Sequence, residues 1–380
     1  MAPVTLEASD LSGPPSPYGS CLPPAAAVPF QSQLYAQELT DADKVFAECR
    51  QDQPIPFHHC ITPDQLRSCQ KVGEGVYGEV FRTLRGGRHV ALKVIPIEGT
   101  QKVNGEHQKS FAEILPEIII SKELSLLNEG EENRSSGFIQ LHSAHCVRGS
   151  YPPELLSSWD KFADEKGTEN ERPDSFCPEQ LFMILEFEFG GEDLERMCCK
   201  LPSVAAARSI LHQVTAALAV AEEELRFEHR DLHWGNLLIE HSQSRTISMS
   251  LQGDVFDIPS GGIQVKIIDY TLSRLDKDGL TVFCDLSTDE ELFLGEGDLQ
   301  FEVYRSMRRE NQNVWSLYKP HSNVLWLHYL CDKLLTEAKC MKKPSSAVQR
   351  RDLRRLQDFR REVRHYGSAT EVLKRSRLFK

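Results

Sequence analysis

The residues best placed to do chemistry are His229-Arg230-Asp231-Leu232-His233-Trp234-Gly235-Asn236, a polar loop directly after a long apolar-periodic segment. Asp231 can accept the proton of an attacking hydroxyl, and the amide oxygen of Asn236, five residues on, suits a hard cation. A surface arginine inside a random loop explains the string poorly, because three other polar residues sit at defined offsets from it. Thirty residues further on, the apolar run Val265 to Ile268 ends in Asp269-Tyr270-Thr271. An aspartate at a strand end can chelate Mg²⁺ across terminal phosphates, and a turn-forming aspartate is the plainer alternative.

Upstream lies a glycine-rich string, Gly73-Glu74-Gly75-Val76-Tyr77-Gly78-Glu79-Val80, preceded by Val72. Glycine lets backbone approach a triphosphate closely, and Val80 can cover an adenine. A ligand-free glycine-rich hairpin fits the same string, but a Rossmann turn does not, since a strand and not a helix follows. Val90-Ala91-Leu92-Lys93 then places a lysine at the end of a buried strand pattern, where its ammonium needs an anion. Phosphate oxygens and a glutamate on the next helix can supply it. Glu117 is the expected partner, with Glu113 and Glu123 as competitors. Glycine loop, strand lysine, helix glutamate, H-R-D loop and strand-end aspartate follow the order that phosphoryl transfer from ATP to a protein hydroxyl requires.

These residues need a small strand-rich half followed by a larger helical half. Arg67 to Leu84, His89 to Ile97, Phe138 to Val147 and Leu181 to Phe187 read as strands. Phe111 to Leu127 has helical spacing, with Pro116 expected at the start of the helix proper. Tyr151 to Pro178 is a charged insertion whose Glu154 to Phe162 section is expected to be helical, and Gly190-Gly191 breaks the chain after the fourth strand. Ser203 is a good N-cap for a helix carrying Val204, Ala207, Leu211, Val214, Leu218 and Leu225 on one face. An acidic irregular stretch and further helices follow, with Asn323 to Leu335 apolar nearly all round and hence expected in the core. Residues 1 to 56, rich in proline at their start, read as a disordered tether with a docking helix near Ala42 to Cys49.

The 380 residues carry a net charge of −12, which disfavours non-specific nucleic-acid binding by the whole surface. The stretch Lys339 to Lys380 is the exception, with fourteen Lys/Arg against four Asp/Glu. A solvated face of an amphipathic helix accounts for it better than a nucleic-acid patch. No run of eighteen apolar residues occurs and no secretory leader pattern opens the chain, so no membrane role is expected. The eleven cysteines contain no C-x-x-C pair, and free thiols in a reducing compartment are expected.

From about residue 57 onward the chain resembles the haspin family, atypical serine/threonine kinases that modify histone three. The resemblance rests on Gly73 to Val80, Glu113 to Glu123, Glu186 to Gly191, His229 to Asn236, Ile268 to Arg274, Asn323 to Tyr329 and the terminal Leu378-Phe379-Lys380. It implies an α+β bilobal protein-kinase fold, with an N-lobe over about 57–189 and a C-lobe over about 190–380. It also implies ATP and Mg²⁺ as cofactors. Phe187 takes the gatekeeper position, Glu188, Phe189 and Gly190 the adenine hinge with Gly191 beside it, and Asp193 the ribose contact. Tyr270-Thr271 replace the usual Phe-Gly, and no A-P-E motif follows, so a phosphorylation switch is not expected. Asp285, Asp289, Glu290, Glu291, Glu296 and Asp298 crowd fourteen residues beyond Asp269 and should face a cationic peptide rather than a nucleotide. A solvated acidic loop is the bland reading. The resemblance makes that peptide the basic histone-three tail around its third residue, a threonine, met on mitotic chromosomes in the nucleus. Glu74, Asp193, Glu195, His233, Asp289 and Glu291 are the candidates for its groove, and Asp298 is expected to anchor the catalytic loop from below. A pseudokinase scaffold on chromatin and a small-molecule kinase are the alternative functions. Intact Lys93, Asp231, Asn236 and Asp269 argue against the first, and the full H-R-D string with the acidic stretch against the second.

Overall fold

The computed structural model describes residues 4–8, 39–342 and 346–380. Its N-lobe is built on a six-stranded sheet in the order Ile55–Pro56, Leu141–Arg148, Leu181–Glu188, Arg88–Ile97, Gly78–Arg85, Gln70–Gly75. Only the first pair is parallel; the others are antiparallel. Alternation sends Leu92 and Val94 to one face, where they meet Phe81, Phe182 and Leu155, and Ile95 and Ile97 to the other. The helix Phe111–Leu126 packs Ile114, Leu115 and Ile118 on that second face.

Three sequence expectations need correction here. Pro116 lies inside its helix and not at its start, because Ser110 and Glu113 form a reciprocal capping box that begins the helix earlier. The N-terminal segment is not simply a tether. Val4–Ala8 pairs antiparallel with Leu280–Cys284, whereas the docking helix forms as expected, over Asp41–Cys49, and buries Val45 and Cys49 against the N-lobe. The proline-rich stretch falls within 9–38, outside the described residues. Finally, the chain after Asp269 is not merely irregular, since Arg274–Lys277 and Leu280–Cys284 form a hairpin.

The insertion helix runs Pro153–Lys166 and buries Leu155, Trp159 and Phe162, one stripe at helical spacing. In the C-lobe, Ser203 caps the helix Val204–Leu225, which is long and apolar enough to cross a membrane but lies almost wholly within the core. His321–Glu337 packs beside it, buried along most of its length. The basic C-terminal helix Ala347–Glu362 buries Leu356 and Phe359 and leaves Arg351 and Arg354 exposed.

Candidate active site

A cleft of about 2300 Å³ separates the lobes, lined by Val72 to Gly78, Val80, Lys93, Phe187 to Gly191, Asp193, Glu195, His233, Asn236 and Asp269 to Thr271. The glycine-rich segment is a hairpin in which Gly75 faces Gly78 across Val76-Tyr77. A Cβ on Gly78 would stand 2.2 Å from the Val94 carbonyl oxygen, whereas one on Gly75 would meet nothing within 4 Å. The first glycine therefore permits close strand packing and the second leaves space over the cleft.

Opposite the hairpin, Lys93 Nζ donates to Glu117 Oε1 at 2.6 Å, and the second oxygen accepts from Lys109 Nζ at 3.0 Å. Glu117 is thus the partner, while Glu113 caps its own helix and Glu123 meets Lys277 at 3.3 Å. Burial would raise the Glu117 carboxyl, but Lys109 and Lys93 outweigh it and hold it low. Lys93 also lies 3.8 Å from Asp269. Burial works against its charge, yet Asp269 and Glu117 keep the ammonium firmly protonated.

Asp269 sits at φ +61°, a left-handed backbone that costs about 1–3 kcal/mol unless its surroundings fix it. Thr271 provides that restraint, donating through Oγ1 at 2.7 Å and through its amide at 3.3 Å to Asp269 Oδ1. Lys93 and Thr271 together override burial and hold the carboxyl well below the usual range. Tyr270 turns into the C-lobe core, packs against Phe138, Phe227 and His229, and donates to the Ile267 carbonyl, so its side chain serves packing rather than a nucleotide.

The catalytic loop is held from several sides. Asn323, on the buried helix, accepts from the His229 amide at 3.1 Å and donates to the Phe227 carbonyl at 2.9 Å. His229 Nε2 meets the Ile268 carbonyl at 3.0 Å while Nδ1 accepts from the Asp231 amide at 3.3 Å, so the ring is neutral with its proton on Nε2. Burial holds its pKa down to about 4. Arg230, buried and at φ +66°, pairs with Glu228 at 3.2 Å and stacks over Trp315. Asn236 donates to the Asp231 carbonyl oxygen at 2.8 Å. Asp231 Oδ1 accepts from the Tyr304 hydroxyl. Burial pushes the Asp231 carboxyl up to about 8, and the Tyr304 bond pulls the other way.

The other candidates divide. Asp193 caps the short helix Leu194–Met197, accepting from the Arg196 amide at 2.8 Å, and its neighbours Glu195 and His233 face the cleft. Glu74 is taken up by Lys71 at 2.7 Å and Thr168 at 2.6 Å. Glu79 is buried with its carboxylate on Lys71 and Asn170, away from the cleft, because the strand's alternation points it to the opposite face. Asp289 and Glu291 fall outside the cleft lining: Asp289 accepts from the Leu292 amide and Glu291 is exposed. Asp298 does not touch the catalytic loop. It binds Lys333, whose ammonium sits 4.6 Å from the Trp234 ring centre, so its support is indirect. Sequence reasoning missed Tyr304 and Lys109. Neither carried a spacing signal, since Lys109 precedes the Ser110 cap of the Glu117 helix and Tyr304 lies 73 residues from Asp231.

Comparison with known proteins decides the lineage. The family described as "Haspin like kinase domain" matches residues 28–378. The chain belongs to this family of kinases. It is 56% identical over 360 residues to the serine/threonine-protein kinase haspin of Mus musculus, covering 93% of this chain and 48% of that one. The Bos taurus protein of the same name is 54% identical, over 93% of this chain and 45% of its own. The serine/threonine-protein kinase haspin homolog of Drosophila melanogaster is 39% identical, over 86% of this chain and 59% of its own. The chain spans about half the length of the curated relatives it matches.

Proposed function

We propose that this chain is an ATP-dependent serine/threonine protein kinase that phosphorylates the basic tail of histone three at its third residue, a threonine, on mitotic chromosomes in the nucleus. The observation that carries the catalytic part is that Lys93 meets both Glu117 and Asp269, while Asp269 follows directly on Ile268, whose amide donates to the Asn236 carbonyl at 3.0 Å, and so adjoins the loop that holds Asp231 and Asn236. Lys93 is protonated and oriented for phosphate oxygens. Asp231, fixed by Tyr304 through Oδ1, also accepts from Asn236 Nδ2 at 3.4 Å through Oδ2, and this long, weak bond leaves Oδ2 the acceptor for the proton of the incoming hydroxyl. Glu188 to Gly191 line the cleft between the last sheet strand and the C-lobe, where adenine would sit.

The donor set fits Mg²⁺. Asp269 and the amide oxygen of Asn236 are hard oxygen ligands, and no cluster of three or more His, Cys, Asp or Glu able to hold a metal by itself occurs among the described residues. Such a site completes itself with phosphate oxygens and water, as magnesium prefers. When bound, the ion would neutralise charge on the transferred phosphoryl group.

The histone reading is supported by the family relationship and by the carboxylates at Asp193 and Glu195 beside the catalytic loop. Phosphate transfer from ATP to a peptide of the histone-three tail tests it, run beside the same peptide with valine in place of the third-residue threonine, and beside free choline and an aminoglycoside. Transfer to the native peptide alone is expected. Transfer only to the small molecules would overturn the substrate class, and no transfer at all would favour a scaffold.

A further inference from the structure

The Tyr151 to Pro178 insertion supplies nothing to the chemistry above, yet it reaches the glycine-rich hairpin repeatedly. Ser158 Oγ accepts from the Lys71 amide at 2.7 Å. The Thr168 hydroxyl donates to Glu74 Oε2 at 2.6 Å, and the Glu169 amide to Glu74 Oε1 at 3.1 Å. Asn170 Nδ2 donates both to the Gly75 carbonyl at 3.0 Å and to Glu79 Oε1 at 2.9 Å. From the other flank, Asn104 donates to the Val76 carbonyl at 2.9 Å and is itself held by the Glu171 amide at 2.8 Å. Beneath these, the buried Lys71 ammonium binds Glu74 and Glu79 and lies 5.2 and 4.8 Å from the Trp159 and Phe162 ring centres.

A hairpin with glycines at 73, 75 and 78 samples many backbone states when only its own ladder restrains it. Here carbonyl oxygens at the hairpin turn are tied to side chains outside the hairpin. We propose that the insertion is a brace that holds the glycine-rich hairpin in its nucleotide-receiving shape before nucleotide arrives, with Thr168 and Asn170 as its positioning residues. The proposal rests on the kinase reading for its consequence, nucleotide affinity, but not for the mechanics. It also commits Glu74 to the brace and removes it from the peptide groove.

The test compares Asn170→Ala, Thr168→Val and the double variant with wild type, and uses Thr168→Ser as the hydroxyl-retaining control. Two quantities are measured: amide hydrogen exchange without ligand, and calorimetric binding of ADP with Mg²⁺. In the double variant, exchange over residues 73–78 should quicken about tenfold while the His321–Glu337 helix stays unchanged. ADP should bind about fivefold to tenfold more weakly, because ordering the hairpin now falls to the ligand. Thr168→Ser should match wild type, and turnover at saturating ATP should stay within about twofold. Unchanged hairpin exchange and unchanged ADP affinity would refute the brace. So would a rise in exchange spread evenly over the N-lobe, which would mean general loosening. If wild type binds no ADP at all, the kinase reading falls, while hairpin exchange still decides whether the brace exists.

Discussion

The nucleotide side of the cleft and the acidic stretch outside its lining hold their charges in opposite ways. On the nucleotide side, Glu117 is buried and shared by two ammoniums, and Asp269 is fixed by Thr271 and faces Lys93. In the acidic stretch, Asp285 and Asp289 accept only backbone amides of their own turns, Glu290 is neutralised by Arg308 at 2.8 and 3.0 Å, and Glu291 and Glu296 are exposed. Buried, multiply bonded charge fixes atomic positions and resists salt. Exposed charge acts through a field that salt screens over roughly 8–10 Å. The nucleotide side is fixed in geometry, whereas the acidic stretch can act only through its field.

The sharpest break in that contrast is Asp231→Asn. Transfer should fall by about 10²–10⁴-fold, because the proton acceptor is lost, while ADP binding measured by calorimetry stays near wild type. Near-normal turnover would remove Asp231 from the mechanism.

Next in size is Glu117→Ala. It leaves Lys93 and Lys109 facing each other without their shared anion, and breaking a buried pair costs about 3–5 kcal/mol of stability besides the loss of turnover. Glu113→Ala loses only a capping contact, about 1 kcal/mol. Denaturant unfolding of both variants measures the gap, and equal losses would mean that the buried cluster contributes no more than a helix cap.

Why Glu117 was legible and Tyr304 was not has a physical basis. The glycine string, H-R-D loop and strand-end aspartate act through neighbours in the chain, so spacing alone exposes them. Lys93 and Glu117 were readable because a charge in an apolar run demands a partner. Tyr304 approaches Asp231 across 73 residues from an amphipathic helix, where a tyrosine looks like ordinary core. Thr168 and Asn170 hid in a charged insertion for the same reason. The acidic stretch was visible by composition, but composition does not say which carboxylates a neighbouring arginine or lysine already occupies.

The buried side also holds an acid-sensitive group. His229 is neutral in the folded protein down to about 4, whereas an unfolded histidine titrates near 6.5. The unfolded chain therefore binds the extra proton first. Stability from this residue is fully present above about pH 6.5 and is lost as pH falls toward 4, reaching about 2 kcal/mol by pH 5. Asp231, whose carboxyl is raised to about 8, works in the opposite sense over the same range, so the readout is a difference between proteins: from pH 7 to 5 His229→Gln should lose less stability than wild type in thermal melts, while melting lower at pH 7. A slope unchanged by the substitution would assign the acid sensitivity to other groups.

The smallest expected effect bears on the acidic side. Asp289→Asn with Glu291→Gln removes two charges that are half-buried and exposed, outside the cleft lining. Charges at a rim contribute less than desolvated pairs, about 0.2–1 kcal/mol each, so the KM for a basic tail peptide should rise about twofold to thirtyfold. The KM for ATP should hardly move, since Lys93, Glu117 and Asp269 are untouched. Raising salt from 50 to 300 mM should weaken peptide use by the wild type more than by the double variant, because the variant has less field left to screen. Replacing the peptide's arginine and lysine by neutral residues should likewise hurt the wild type more. If both enzymes respond alike to salt and to peptide charge, the stretch from Asp285 to Asp298 is a solvated loop. Attraction would then belong to Asp193 and Glu195, which line the cleft beside Asn236, and the contrast between the nucleotide side and the acidic stretch would shrink to a difference in burial alone.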